Sequence, residues 1–219
     1  MIINLHMEKA GGTSVRRFFE KALGRMYFRV LSHDLNRSML ELKRYQNKYL
    51  IAHGHVFYGV HSELGCEPLY ETVLRNPLDR FYSQYKHVTS RAGSPIFKQF
   101  GNMDYSAFLD KYGERFGNIQ TRRICGKLDE EPLDLSDLRL AIKRLKTFNR
   151  VGICENLETY LSSWAKELSV VTPVTINENC GGYDDDLSSK GARCFMRTER
   201  LNNFDIILYE EAKGMSEQL

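Results

Sequence analysis

Short apolar runs alternate with amphipathic stretches through the first half of the chain. The apolar runs predict four strands, and the amphipathic stretches predict three helices. The strands are expected at 2–6, 27–31, 49–53 and 71–75, and the helices at 13–23, 34–46 and 77–91. This alternation predicts an α/β fold, a parallel sheet flanked by helices on both faces. Ligands of such sheets bind at the carboxyl ends of the strands.

The second half of the chain has a mainly helical pattern. Helices are predicted at about 104–111, 115–125, 136–147, 155–168 and 200–213, with one further strand at 149–153. Paired glycines and consecutive aspartates make 177–193 the best candidate for a mobile loop. The sequence contains no internal repeat or low-complexity tract, so we expect one domain spanning 1–219.

Charge and hydropathy argue against two classes of protein, nucleic-acid binders and membrane-spanning proteins. The formal net charge is only +3, from 31 basic and 28 acidic residues, which argues against a general nucleic-acid binder. No apolar run reaches the roughly 18–20 residues of a membrane span, and the first strand begins without a signal peptide. As written, the chain is expected to be soluble and cytoplasmic.

Cysteine spacing bears on redox state and metal binding. Five cysteines lie scattered along the chain, at positions 66, 125, 154, 180 and 194. This pattern favours reduced thiols and no bound metal. Cys180 and Cys194 flank a loop-like segment and are the one pair that we would test for a disulfide.

A glycine-rich segment directly follows the first predicted strand. The segment His6–Ser14 reads His-Met-Glu-Lys-Ala-Gly-Gly-Thr-Ser and leads into a helix. Such a turn presents backbone N–H groups and the positive end of a helix dipole, and both attract phosphate. Because Lys9 precedes the glycines, the segment is not a Walker A loop, which argues against an ATPase. The alternative is an ordinary turn in which Thr13 or Ser14 caps the helix.

A second anion-binding candidate lies in the segment Tyr70–Tyr85. Arg75 stands at the carboxyl end of a strand, and Ser83 lies two turns into the helix that follows. A guanidinium and a hydroxyl in these places are suited to a second phosphate. Two phosphate sites indicate a nucleotide that carries two phosphate groups. Taken singly, Arg75 is better explained by a surface ion pair, and Ser83 by a solvated helix position.

Together the two segments resemble those of sulfotransferases that use 3′-phosphoadenosine 5′-phosphosulfate (PAPS), in the branch of the heparan sulfate 2-O- and 6-O-sulfotransferases. Weaker likeness continues through further segments and covers nearly the whole chain, at Ala52–Gly59, Gly117–Arg122, Val151–Glu155 and Leu201–Tyr209. The resemblance implies a P-loop-like sulfotransferase fold and transfer of a sulfuryl group to a hydroxyl, with 3′,5′-adenosine bisphosphate (PAP) as product. Eukaryotic members are Golgi enzymes with an anchor before the catalytic domain, so a trimmed domain would belong in the Golgi lumen.

The resemblance also assigns roles to residues of this sequence. The cofactor-binding residues it implies are Lys9, Ala10, Gly11, Gly12, Thr13, Ser14, Arg75 and Ser83. Lys9 would also stabilise the leaving phosphate, and the histidine pair His53 and His55 would be catalytic, with His55 as the base and His53 as support. No metal is required. The alternatives are a solvated lysine at position 9 and structural or metal-binding histidines.

The acceptor is less well defined than the cofactor. A carbohydrate or a hydroxylated small molecule fits, and basic residues at Tyr85–Arg91, Arg122 and Arg123 are candidates to meet an acidic sugar polymer, although a solvated helix face is an equal interpretation. Two other functions stay open from the sequence. One is a nucleotide kinase or phosphotransferase, and the other is a non-catalytic binder of sulfated or phosphorylated ligands.

Overall fold

A five-stranded parallel sheet forms the centre of the molecule. The computed structural model describes residues 1–32, 34–65, 67–90, 95–127, 131–171 and 187–219. The strands are β1 (Ile2–His6), β2 (Phe28–Val30), β3 (Ile51–Gly54), β4 (Leu69–Leu74) and β5 (Arg150–Ile153). All neighbours pair in parallel, in the order β2-β3-β1-β4-β5. The predicted parallel sheet is therefore confirmed, and β1 is its central strand.

Helices make up most of the remaining described chain. They are α1 (Gly12–Tyr27), α2 (Leu35–Tyr45), α3 (Pro77–Ser90), α4 (Pro95–Phe100), α5 (Tyr105–Phe116), α6 (Ile119–Cys125), α7 (Leu135–Leu145), α8 (Leu157–Leu168), α9 (Ala192–Leu201) and α10 (Asn203–Ser216). Short 3₁₀ helices lie at Val60–Glu63, Cys154–Asn156 and Leu187–Lys190. None of the helices in the described ranges is long and apolar enough to cross a membrane.

The two faces of the sheet are covered by different helices. Alternate residues of a strand point to opposite faces. Ile3 and Leu5 of β1 belong to the core that includes α7 and α10, whereas Ile2 belongs to the core shared with α1 and α8. A third apolar cluster lies among α3, α5 and α9, away from the sheet. The sheet is thus flanked by helices on both faces, as the sequence pattern predicts.

Several predicted boundaries are wrong in the helical half. The closing helix predicted at 200–213 is two helices, because α9 ends at Leu201 and α10 begins at Asn203. Helix α5 runs on to Phe116, past the predicted end at 111, and α4 was not predicted. The break after α5 falls at Gly117, where a Cβ atom would lie 2.3 Å from the carbonyl oxygen of Leu201. Close packing between distant segments sets this boundary, and the local pattern does not contain it.

The candidate loop and the cysteines fall partly outside the described residues. Of the predicted loop 177–193, the described part forms a 3₁₀ helix from Leu187 and the start of α9. Within the described ranges, Cys125, Cys154 and Cys194 take part in no disulfide bond. Cys66 and Cys180 lie outside the described residues, and so does the proposed pairing of Cys180 with Cys194.

Candidate active site

The segment between β1 and α1 forms a tight turn at the carboxyl end of the central strand. Lys9 and Gly11 both adopt left-handed backbone conformations, with φ of 68° and 75°. This conformation is rare for a lysine, and strained backbone of this kind is concentrated at functional sites. Helix α1 begins at Gly12, and its N-cap, Gly11, makes no side-chain capping bond. The alternative in which Thr13 or Ser14 caps the helix is therefore wrong.

Gly12 is required by the position of one imidazole ring. A Cβ atom at Gly12 would lie 1.7 Å from Cε1 of His6, the last residue of β1. The His6 ring therefore rests directly on the first residue of α1, and no other residue type leaves room for it. The paired glycines serve different purposes, since Gly11 supplies the positive φ and Gly12 supplies the space.

The predicted phosphate-binding residues divide into two groups. The Ala10 N–H donates to the Met7 carbonyl at 3.2 Å, and the Ala10 side chain lies in the core. The Ala10 N–H and side chain are therefore both engaged within the protein, and its predicted contact with a phosphate stays a prediction. The N–H groups of Gly12 and Thr13 belong to the first turn of α1, where amides have no carbonyl partner within the helix. These amides, with Lys9, are the groups that can meet an anion.

Arg75 contacts the glycine-rich turn directly. Its Nη1 donates to the Lys9 carbonyl oxygen at 3.0 Å. The Arg75 backbone is held from both sides by Gln120, which accepts from the Arg75 N–H at 2.9 Å and donates to its carbonyl at 3.0 Å. Glu155 accepts from the next N–H, that of Asn76, at 2.8 Å. The two segments predicted to bind phosphate are therefore adjacent, and Arg75 joins them.

Gln120 is positioned by reciprocal capping between α6 and α10. The Asn118 side-chain oxygen accepts from the N–H groups of Phe204 and Asp205, both at 3.0 Å. In return the Asp205 carboxylate accepts from the N–H groups of Gln120 and Thr121, at 3.1 and 2.7 Å. This exchange fixes the start of α6 beside Arg75. The segments Gly117–Arg122 and Leu201–Tyr209 therefore cap each other's helices.

Ser83 and Arg80 lie on the buried side of α3. Ser83 is 7 % exposed, and in the described part of the chain its hydroxyl makes no hydrogen bond with Arg75 or with the turn. Its predicted contact with a phosphate stays a prediction. Arg80 is 1 % exposed and donates to the Phe116 carbonyl at 2.6 Å. Arg80 therefore ties α3 to the end of α5 and does not face solvent.

Three histidines stack at the carboxyl ends of β1 and β3. The ring of His6 lies between the other two, with its centroid 4.7 Å from that of His53 and 4.3 Å from that of His55. His53 is 3 % exposed, whereas the His55 side chain is 21 % exposed. The predicted pair is thus close to the glycine-rich turn. His6, which carried no predicted role, is the ring that connects them.

His53 ends a buried polar network on the α8 side of the sheet. Its Nδ1 lies 2.7 Å from Oδ1 of Asn4, whose Nδ2 donates to Glu71 at 3.0 Å. Trp164 donates to the other Glu71 oxygen at 3.0 Å. Burial raises the pKa of Glu71 to about 7, against the opposing effect of these donors. Burial, with the nearby His55 and Arg16, lowers the pKa of His53 to about 3. His53 is therefore a neutral ring that stacks on His6, and its predicted supporting role stays a prediction.

The neutral state of His53 predicts a pH dependence of stability. The unfolded chain gains a proton on His53 below about pH 6.5, whereas the native chain resists protonation until about pH 3. Acidification therefore favours the unfolded state. The contribution of His53 to the free energy of unfolding is lost as the pH falls below about 6.5. We expect the stability difference between wild type and a His53→Gln variant to shrink by about 2 kcal/mol between pH 6.5 and pH 5. Urea unfolding at a series of pH values measures it, and a difference that stays constant over this range would contradict the assignment.

The hydrogen bond of His55 defines which ring nitrogen can accept a proton. Nδ1 of His55 lies 3.1 Å from the carbonyl oxygen of His6. A carbonyl oxygen can only accept, so Nδ1 carries the hydrogen, and Nε2 of the neutral ring carries the lone pair. A general base needs a ring fixed in such a tautomer. In this tautomer Nε2 is the ring nitrogen through which His55 can take up a proton.

Two charged residues near His55 were absent from the predicted site. Glu8 Oε1 lies 3.5 Å from Nδ1 of His55 and 3.1 Å from Nη2 of Arg123. Glu8 stands next to Lys9 in the sequence, which is the one available hint, but its partner Arg123 is more than a hundred residues away. Arg122 is 6 % exposed and donates to the Glu131 carbonyl. Arg122 and Arg123 therefore do not form the solvated basic face considered from sequence, and Arg91 lies outside the described residues.

A cleft of about 840 Å³ opens beside α6. It is lined by polar and charged side chains, among them Asn118, Arg115, Arg200 and the buried Arg122. Because Asn118 and Gln120 belong to the same helix start, the cleft adjoins the segment that holds Arg75.

Sequence comparison adds no family to this description. No protein-family model matches the chain, and no curated protein is significantly similar to it. The geometry of the site itself must therefore carry the functional assignment.

Proposed function

We propose that the chain is a PAPS-dependent O-sulfotransferase that acts on a hydroxyl of a glycan or a similar acceptor. One observation carries the proposal: Nη1 of Arg75 donates to the Lys9 carbonyl at 3.0 Å, so the two segments predicted to bind anions are in direct contact. A nucleotide with phosphate at both the 5′ and the 3′ position matches such a site. The P-loop-like sulfotransferase fold belongs to the same proposal and is supported by the place of the turn after the central strand.

The proposed nucleotide would be held at both of its charged ends. The amides of Gly12 and Thr13 and the side chains of Lys9 and Ser14 would meet the 5′-phosphosulfate at the start of α1. Arg75 has further N–H donors besides the one used on Lys9, and these would meet the 3′-phosphate, with Ser83 as the second donor. Ala10 supports the turn from the core.

The proposed reaction is an in-line transfer of a sulfuryl group. Nε2 of His55 removes the proton from the acceptor hydroxyl as the acceptor oxygen bonds to sulfur. The bond between sulfur and the bridging phosphate oxygen breaks, and the electron pair stays on the 5′-phosphate of PAP. Lys9 and the amides at the helix start stabilise that new negative charge. Stabilisation of developing charge by fixed donors is usually the largest single contribution to the rate of such a step. The products are a sulfated acceptor and PAP.

Ligand-induced stabilisation tests the proposal against a kinase. PAP at 100 times its Kd is expected to stabilise the protein by about 2.7 kcal/mol, which raises the Tm of a chain of this size by about 5–10 °C. ATP with Mg²⁺ is expected to give a much smaller shift, because the lysine precedes the glycines of the turn. A thermal-shift titration with both nucleotides measures the difference. A larger shift with ATP and Mg²⁺ would contradict the sulfotransferase and favour a phosphotransferase.

A further inference from the structure

Glu8 connects the proposed base to a distant arginine. Its Oε1 lies 3.5 Å from Nδ1 of His55 and 3.1 Å from Nη2 of Arg123. The three side chains come from the glycine-rich turn, the end of β3 and the helix α6. The other Glu8 oxygen, Oε2, is buried and has no hydrogen-bond donor within the described ranges. Arg123 and His55 are thus the contacts that compensate the carboxylate.

We propose that Glu8 is a positioning residue for His55, and that Arg123 in turn positions Glu8. The inference rests on the proposed function in one respect, which is that His55 acts as the base. The carboxylate stands on the Nδ1 side of the ring, so it favours the tautomer with the hydrogen on Nδ1 and leaves Nε2 as the proton acceptor. When Nε2 takes up a proton, the same carboxylate stabilises the imidazolium.

The charge state of Glu8 supports this role. Burial acts to raise the pKa of Glu8, but Arg123, His55, a hydrogen bond from the Glu8 backbone and Arg80 outweigh it and leave the pKa below its usual value. The Glu8 carboxylate is therefore ionised at neutral pH. Two further titratable rings lie near His55. His6 packs against it, and His53 stacks on His6. His53 is neutral, and Arg16 is among the causes of its low pKa.

The Glu8→Gln variant removes the charge and keeps the shape of the side chain. We expect the pKa of His55 to fall by about one unit, because a negative charge at ion-pair distance is lost. The acidic limb of the pH–rate profile should move by the same amount, with a fall in kcat of about tenfold. The matched control is Glu210→Gln, since Glu210 pairs with Lys213 at 2.7 Å on an exposed face of α10 and should leave His55 unchanged.

Arg123 provides a variant with the opposite expected sign. The Arg123→Gln variant removes a positive charge and leaves Glu8 to interact with His55 alone. The pKa of His55 is then expected to rise by about half a unit. Opposite shifts in the two variants separate an electrostatic chain from a general loss of structure, which would change both variants in the same direction.

Histidine-labelled ¹⁵N NMR tests the proposal without turnover. In the wild-type protein the neutral His55 ring should show the Nδ1–H tautomer, and its titration gives the pKa in each variant. An Nε2–H tautomer, or a His55 pKa in Glu8→Gln within 0.2 unit of wild type, would overturn the role of Glu8. If that variant does not fold, a His55 pKa that fails to rise in Arg123→Gln overturns it. Failure of the proposed function looks different, because sulfate transfer from PAPS would be absent while the tautomer and both shifts persist.

Discussion

Replacing His55 by alanine is expected to lower sulfuryl transfer from PAPS by a factor of about 10²–10⁴. The expectation follows from the ring geometry. The Nδ1 hydrogen of His55 is directed to the His6 carbonyl at 3.1 Å, and Nε2 is the ring nitrogen proposed to take the proton of the acceptor. Affinity for PAP should stay within about twofold of wild type, because the phosphate-binding groups lie on other residues.

Radiolabelled PAPS with a panel of glycans measures this transfer. The control is His61→Gln, since His61 bonds the hydroxyl of Tyr70 and belongs to no predicted site. That variant should keep the wild-type rate. If His55→Ala also keeps the wild-type rate, His55 is not the base, although the nucleotide site would stand. If no preparation transfers sulfate while PAP still binds, the protein is a binder and not an enzyme.

Replacing Gly12 by alanine is expected to destabilise the protein by about 2–3 kcal/mol or more. A Cβ atom at this position would lie 1.7 Å from the His6 ring, so the ring must leave its place. The stacking of His6 on His53 and His55 would be lost with it. PAP binding should weaken too, because the His6 ring packs against the first residue of α1, where the phosphate is proposed to bind.

The control for Gly12 is a glycine that has open space around it. Gly214 lies in α10, and a Cβ atom there meets nothing within 4 Å. The Gly214→Ala variant is therefore expected to gain about 0.5–1 kcal/mol, since alanine favours the helix over glycine. Urea unfolding of both variants gives the comparison. A Gly12→Ala protein as stable as Gly214→Ala would show that His6 does not occupy the place described.

The sheet was predictable because its signals are local. Buried strands separated by amphipathic helices indicate parallel strands from the pattern alone, and the observed strands lie within about two residues of the prediction. The predicted end of the first helix at 23 also has a physical counterpart, because α1 departs from helical geometry at Gly24. The division between α9 and α10 was not predictable, since it depends on capping by Asn118, which lies far away in the sequence.

The candidate site was predictable in its parts but not in its connections. The glycine-rich turn and Arg75 each carry a local signal for anion binding. The hydrogen bond from Arg75 to Lys9 forms because β1 and β4 are neighbours in the sheet. The sequence of neither segment predicts this pairing. His6 was overlooked because its ring matters only through stacking with residues of β3. Glu8 and Arg123 meet across more than a hundred residues, so only the fold brings them together.

The central claim is that Arg75 and the glycine-rich turn form one site for a nucleotide with phosphates at both ends. Calorimetric titration of wild type and Arg75→Ala with PAP and with adenosine 5′-monophosphate tests it most directly, because the two ligands differ only in the 3′-phosphate. Arg75→Ala is expected to weaken PAP by about 10–100-fold, from loss of a charge-assisted contact, and to change the monophosphate by less than about threefold. Equal weakening of both ligands would mean that Arg75 only supports the turn through Lys9. That result, or no weakening of PAP at all, would contradict the account.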